Sequence, residues 1–178
     1  MSRARMIVAG GGPVGLAFAA ACDGFDVDIV EASDARAQAP ADELDLRVFA
    51  LSPGTRALLR EIGAWEAIDK ARIAPVRRMA VFGDEGSSIS FAPPAGESLA
   101  WIVESNRMMS GLEAAIESRA WIRVHRGAAV RSLSAQADHA RIELEGGATL
   151  DGDLLVGADG PDSRVRSTFG IEIGRAHV

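Results

Sequence analysis

The sequence predicts an α/β fold, with a parallel central sheet and an antiparallel β layer inserted into it. Three observations carry this. Arg5 to Ala9 is a short apolar run that leads into Gly10-Gly-Gly-Pro-Val-Gly15, a small-residue run to Cys22 and a second β-branched run from Phe25 to Glu31. That order reads as strand, tight turn, helix, parallel strand, within about 30 residues. From Val76 the pattern changes to short apolar segments between Gly/Pro turns. Leu150 to Val156 is apolar again and runs into Gly157-Ala-Asp-Gly160, a strand ending in a turn.

Composition sets the outer limits. The 178 residues are 48% apolar and 25% charged, enough for one core of ordinary globular type. Nineteen basic against 25 acidic residues give a net charge of -6, with no basic run, which argues against nucleic acid as a partner. Cys22 is the sole cysteine, so no intramolecular disulfide and no paired-Cys metal site can form. His125, His139 and His177 show no ligand spacing, and no metal is expected. The longest apolar stretch, Val14 to Cys22, is too short to span a bilayer and follows glycines rather than a basic segment. The default reading is a reduced, cytoplasmic protein.

The remaining elements follow in order. Gly24 closes the first helix. Ala32 to Leu46 is Ala/Asp-rich and reads as a loop with some helix. Arg47 to Leu51 is a short apolar run, and Ser52-Pro53 starts a helix with an N-cap hydroxyl and a first-turn proline. Leu58, Leu59 and Ile62 give that helix its apolar face, and Gly63 stops it. Trp65 to Ala71 reads as a further short helix. Met79–Phe82, Ser88–Phe91 and Trp101–Val103 read as strands, Asn106–Arg119 as a helix. Ile122–His125, Val130–Leu133 and Ala140–Glu145 read as strands, and Ser163–Phe169 as a last helical turn or two. The inserted antiparallel layer is expected around residues 76–125, within a domain of residues 1–171.

Gly10, Gly12 and Gly15 form G-x-G-x-x-G, the Rossmann-like turn. The first glycine permits the turn, the second lets backbone approach a pyrophosphate, and the third lets helix and strand pack closely. Phosphates would sit at the N-terminus of the helix beginning at Pro13, where free N–H groups favour negative charge. Glu31 ends the next strand 21 residues after Gly10. A carboxylate there can accept both ribose hydroxyls of an adenosine and repels a 2'-phosphate, which selects FAD or NAD over NADP. The structural alternative is a glycine-rich turn with Glu31 as a surface acid.

Two further segments carry chemistry. In Asp45-Leu-Arg47-Val-Phe-Ala-Leu-Ser52 the arginine offers a planar fork to a phosphate, or else a surface ion pair. In Gly157-Ala-Asp-Gly160-Pro-Asp-Ser163-Arg-Val-Arg166, Asp159 stands at the C-terminal end of a strand, where ligands meet an open parallel sheet. It can take a ribose or ribityl hydroxyl, or simply make an Asp-Gly turn.

Together the three motifs resemble the FAD-dependent aromatic hydroxylases, the group that includes p-hydroxybenzoate hydroxylase. Asp45, Arg47, Ala50, Leu51 and Ser52 match D-x-R-x-x-A-L-S of the ubiquinone-biosynthesis branch (UbiH, UbiF and VisC-like hydroxylases) without a mismatch. Asp159, Gly160, Ser163 and Arg166 match the family's D-G-x-x-S-x-x-R. The resemblance runs from Met6 to about Ile171. It implies that Gly10, Gly12 and Gly15 hold the FAD pyrophosphate and Glu31 the adenosine ribose. It places Arg47 beside the pyrophosphate, and Asp159 with Gly160 at FAD and the reduced pyridine nucleotide. Val103-Glu104-Ser-Asn106-Arg107 resembles V-E-N-R with one extra residue, so the flavin-side contact falls to Asn106 or Arg107.

The activity implied is hydroxylation of an aromatic ring, a ubiquinone precursor, with NAD(P)H as reductant and O2 as oxidant. A prenylated phenol substrate would imply peripheral contact at the inner face of the membrane, although residues 1–171 show no amphipathic anchor. The alternatives are another flavoprotein of the same fold, geranylgeranyl-reductase-like or phenol-hydroxylase-like, or a non-enzymatic nucleotide-binding module. The family's second flavin motif, G-D-A-A-H, has no match here, so the chain is expected to be an N-terminal part, inactive alone, with apolar sheet surface left bare. No catalytic residue is evident. Asp42, Glu43 and Asp45 read as a solvated loop, Cys22 and Met108-Met109 as core, and Trp65, Trp101 and Trp121 as packing. Residues 172–178, Glu-Ile-Gly-Arg-Ala-His-Val, are what GAG ATC GGA AGA GCA CAC GTC encodes, a string of sequencing-adapter type. They are expected to be non-native, and finding those codons in genomic DNA would refute it.

Overall fold

The computed structural model describes residues 3–36 and 43–174. Asp42, His177 and the rest of 175–178 lie outside the described residues, as does part of the expected loop-with-helix at 32–46; its described parts hold no helix. The elements in chain order are β1 (Ala4–Ala9), α1 (Pro13–Ala21), β2 (Phe25–Val30), β3 (Val48–Leu51) and α2 (Pro53–Glu61). There follow a 3-10 turn (Lys70–Arg72), β4 (Ile73–Val76), β5 (Met79–Phe82), β6 (Ser88–Phe91), β7 (Ala100–Glu104) and α3 (Ser105–Glu117). Then come β8 (Ile122–His125), β9 (Val130–Ala135), β10 (Ala140–Leu144), β11 (Thr149–Gly152), β12 (Leu154–Gly157) and α4 (Arg164–Thr168). Residues to Arg36 and from Ile116 onward form one unit, and the stretch ending at Ala115 forms another.

The first unit is the expected α/β fold. Its sheet has the order β12-β1-β2-β8, with all three pairings parallel. The apolar residues of β1 and β2 are buried on both faces, as in a sheet covered on both sides. Ile7, Ala9 and Val30 face a second, antiparallel sheet of order β11-β10-β9 and pack on Ile142, Leu144 and Val165. Met6, Val8, Val27 and Ile29 alternate to the opposite face. The crossover helix α1 buries Gly15, Leu16, Ala19 and Ala20. Asp28 is buried on the Ile7 face, where Arg5 (3.2 Å) and His125 (2.7 Å) from the flanking strands meet its carboxylate. That pairing keeps the cost of its desolvation down.

The second unit carries a three-stranded sheet, β3-β7-β4, and the β5–β6 hairpin, all antiparallel. Ser52 caps α2 by accepting the Thr55 N–H, as the sequence indicates. Leu59 and Ile62 are buried, while Leu58 is 40% exposed. Trp65 is buried edge-on to the half-buried Trp101, and the Arg56 guanidinium lies over both rings. The hairpin leaves Met79, Val81, Phe82, Ile89 and Phe91 exposed.

Three expectations need correction. Trp65–Ala71 is not an α-helix. Gly63 turns the chain with φ +80°, turns follow, and Asp69 captures the Ala71 N–H to make only the 3-10 turn. Ile73–Val76 is a strand that sequence reading missed; proline within it and a polar neighbour hide the pattern. Leu150–Val156 is two strands. Asp153 interrupts it, exchanging hydrogen bonds with the backbone of Arg5 (2.7 and 2.8 Å), so β11 joins the antiparallel sheet and β12 the parallel one. Within the expected 76–125 insert, β8 pairs in the parallel sheet. Cys22 is half-buried, and burial pushes its thiol pKa up, consistent with an inert packing role.

Candidate functional site

The carboxyl ends of β1, β2 and β12 open onto one cleft of about 640 Å³. Gly10, Gly12, Glu31, Asp159 and Gly160 all line it, and Ala128 to Val130 form an apolar wall. Five of the eight cofactor-binding positions expected from sequence therefore meet at one place, the end of the sheet where open α/β folds bind ligands.

The glycines do different jobs. Gly10 has φ +107°, and a Cβ on it would lie 2.2 Å from the Ala158 carbonyl oxygen. Gly15 is beneath the cleft rather than in its lining, and its Cβ would lie 1.9 Å from the Gly10 carbonyl oxygen. Both are demanded by the fold. Gly12 is different: among the described residues nothing lies within 4 Å of the position its Cβ would take. The space beside it is the cleft, so the absent side chain leaves room for a ligand to approach α1's first N–H groups. Gly11, a variable position of the motif, is also constrained. Its N–H donates to Glu31 Oε2 (2.7 Å), and a Cβ there would meet the Glu31 side chain at 2.9 Å.

Glu31 accepts from Ser33 N–H through its other oxygen (2.8 Å). Both oxygens are thus oriented by backbone donors, and each keeps further lone-pair capacity for a diol. Asp159 accepts from Ser163 Oγ (2.5 Å) and from the N–H groups of Arg164 (2.7 Å) and Val165 (3.1 Å), so it also anchors the first turn of α4. Burial is the largest influence on its carboxyl and pushes the pKa up. The hydrogen bonds from Ser163, Val165 and Arg164 together outweigh it, and the net pKa is lowered.

Arg47 and Arg107 lie in the second unit. Asp45 links their segments: its carboxylate accepts the Arg47 N–H (2.9 Å) and the Asn106 N–H at the start of α3 (2.9 Å). Glu104 supports Asp45 by accepting its N–H (2.8 Å), and takes the Arg72 fork through Nε and Nη2 at 2.8 Å each. Arg72 Nη2 also donates to the Glu43 carbonyl. Sequence reading missed Glu104 and Arg72 as supports, because an ion pair between residues 32 apart leaves no local pattern. The Arg47 side chain is exposed and Arg107 half-buried. The Asn106 Oδ1 is buried and makes no hydrogen bond among the described residues. Among the described residues no group of three or more His, Cys, Asp or Glu could hold a metal.

The Arg72 hydrogen bonds, then the Asp45 N–H, hold Glu104 below the usual carboxylate range; the Arg47 and Asn106 N–H groups do the same for Asp45. A carboxyl whose folded pKa is depressed adds stability that is present above its unfolded pKa and is lost as pH falls through the folded value. The urea midpoint of the chain should therefore fall as pH is lowered from about 5 to about 3. Glu104→Gln should flatten part of that slope; equal slopes with and without the substitution would show that the network does not act.

Comparison with known proteins gives a consistent picture. Residues 3–177 match the family model described as FAD binding domain. The 3-demethoxyubiquinol 3-hydroxylase of Escherichia coli (strain K12) is 29% identical over 173 residues, covering 95% of this chain and 44% of that protein. The human ubiquinone biosynthesis monooxygenase COQ6, mitochondrial, is 31% identical over 186 residues, covering 94% and 39%. The chain thus spans less than half the length of these relatives. Among solved structures, the Diels-Alderase PyrE3 of pyrroindomycin biosynthesis superposes with a TM-score of 0.74 at 28% identity, covering 94% of this chain and 35% of that one. The flavin-dependent monooxygenase PieE, in complex with FAD and substrate, gives 0.74 at 22% identity, covering 98% and 33%, and shows the shared fold.

Proposed function

The chain belongs to the family of FAD binding domains, and from that premise we propose that it is the dinucleotide-binding part of a flavin-dependent monooxygenase that hydroxylates an aromatic precursor of ubiquinone. The observation that carries the reading is the convergence of Gly12, Glu31 and Asp159 on one cleft at the end of a parallel sheet. The residues fit FAD. The space beside Gly12 admits a pyrophosphate at the α1 N-terminus, and the Glu31 carboxylate is aimed by two backbone donors to take a ribose diol. Asp159 lines the same cleft and suits a ribityl or ribose hydroxyl, with Gly160 beside it.

FAD, when bound, supplies the redox chemistry. The protein's residues bind and orient it. On the motif resemblance Arg47 is proposed for the pyrophosphate and Asn106 or Arg107 for a flavin-side contact; within their own unit the Asp45 carboxylate holds the Arg47 and Asn106 N–H groups. The overall reaction consumes NAD(P)H, O2 and a proton with the arene, and yields NAD(P)+, the phenol and water. Two named relatives, a ubiquinol hydroxylase and a ubiquinone biosynthesis monooxygenase, support this substrate class. No described helix is long and apolar enough to cross a membrane. A cytoplasmic protein making peripheral contact with the inner membrane face, to reach a prenylated substrate, fits that observation. Residues 172–178 remain proposed as a non-native tail.

The test is a titration of the purified 178-residue chain with FAD and, separately, NAD, followed by flavin fluorescence and calorimetry. FAD should bind more tightly than NAD. Equal or tighter binding of NAD would replace this reading with a nucleotide-binding module.

A further inference from the structure

Arg164 lies in the third motif at a position the family pattern leaves open, and no role is assigned to it above. It lines the same cleft as Asp159 and Glu31. Its guanidinium donates to two successive backbone carbonyls of β9, Val130 through Nη1 and Arg131 through Nη2, the latter at 3.1 Å. Its own N–H donates to Asp159 Oδ2 (2.7 Å).

The two carbonyls occur at an irregularity. Val130 pairs with Leu144 and Ser132 with Glu143, so Arg131 is an extra residue with no partner across the ladder. β9 is also an edge strand. Carbonyls at an edge bulge turn out of the ladder and need another donor. A guanidinium supplies two parallel N–H groups in fixed geometry, which an ammonium does not.

The segment so held is the cleft wall. Ala128, Ala129 and Val130 line the cleft on their way into β9. At its near end, Gly127 N–H donates to the Ser33 carbonyl (3.2 Å) and Ala128 N–H to the Glu31 carbonyl (3.0 Å), which ties it to the Glu31 loop. At its far end Arg164 ties it to the Asp159 loop. The wall is thus pinned at both ends, to the Glu31 loop and to the Asp159 loop.

We propose that Arg164 is a positioning residue for nucleotide binding: it straps the apolar wall at Ala128–Val130 to the Asp159 loop and so sets the width of the slot that receives the adenosine base. This rests on the FAD reading of the cleft. The strap is an exposed pair of hydrogen bonds to neutral carbonyls that water can replace, so its loss should change slot geometry more than overall stability.

The experiment measures ADP and inorganic pyrophosphate affinity, together with amide exchange of Val130–Ser132, in the unsubstituted chain, Arg164→Ala and Arg164→Lys. Arg164→Ala should weaken ADP about tenfold, leave pyrophosphate within about twofold, and speed exchange at Val130–Ser132. Arg164→Lys should recover part of the ADP loss, since one ammonium N–H can reach one carbonyl. A general folding defect would weaken both ligands by the same factor, and that result overturns the proposal, as does unchanged ADP affinity in Arg164→Ala. If the unsubstituted chain binds neither ligand, the FAD reading fails, and exchange alone then decides the strap: unchanged exchange overturns it, faster exchange supports it.

Discussion

Gly15→Ala is expected to destabilise the chain by at least about 3 kcal/mol and to abolish FAD binding with it. The added methyl would sit 1.9 Å from the Gly10 carbonyl oxygen, and that atom is backbone. It cannot swing aside as a side chain would, so α1 must move off β1 or the glycine turn must open. Gly10 is itself fixed, with its N–H on the Val30 carbonyl (2.8 Å) and φ +107°. Thermal melting should drop by roughly 10 °C for a domain of this size. Gly12→Ala is the contrast. Among the described residues nothing lies within 4 Å of that methyl, and Gly12 is the α1 N-cap, where alanine costs about 0.5–1 kcal/mol. Its melting should therefore stay near that of the parent while FAD affinity collapses, because the methyl occupies the ligand's approach. Equal losses of stability in the two variants would mean that the second glycine serves packing and not a ligand.

Much of this site was legible because its signals are local. A strand, three glycines at fixed spacing and an acid at the end of the next strand lie within 31 residues, and the physics that requires them acts over the same short span. The parallel pairing of β1 with β2 followed from that unit, whereas the pairing of β12 with the other edge of β1 came only with the fold. Ser52 as an N-cap was readable for the same reason: its hydroxyl meets an N–H three residues on.

What sequence reading missed depends on distant partners. Asp153 splits an apolar run because it pairs with Arg5, and nothing near residue 153 reveals that. Arg72 and Glu104 are individually ordinary charges until the fold sets them 2.8 Å apart. Gly11 is an unmarked position whose constraint comes from a side chain 20 residues away. The helix expected from Trp65 is absent because Gly63 turns the chain just before it and the Asp69 side chain takes the Ala71 N–H.

Glu31→Gln, nearly isosteric, is expected to lower FAD affinity about a hundredfold. The usual expectation for such a swap is a mild loss of charge. Here both carboxylate oxygens already accept backbone N–H groups, from Gly11 at 2.7 Å and Ser33 at 2.8 Å. A glutamine amide has one acceptor and one donor end, so either flip sets its NH2 against a backbone N–H. The side chain must rotate away or leave one donor unsatisfied, at about 1–3 kcal/mol. Rotation removes the ribose acceptor as well, and each charge-assisted hydrogen bond lost to the diol is worth about 1.5–3 kcal/mol. Two effects therefore add: the ligand loses its carboxylate, and the glycine turn loses the anchor that shapes it. The second predicts a fall in the melting temperature of the ligand-free chain, which a purely ligand-facing glutamate would not show. Flavin fluorescence titration and ligand-free melting of the same variant separate the two. A hundredfold affinity loss with unchanged melting would leave Glu31 as a ribose acceptor alone, and unchanged affinity would remove it from the site.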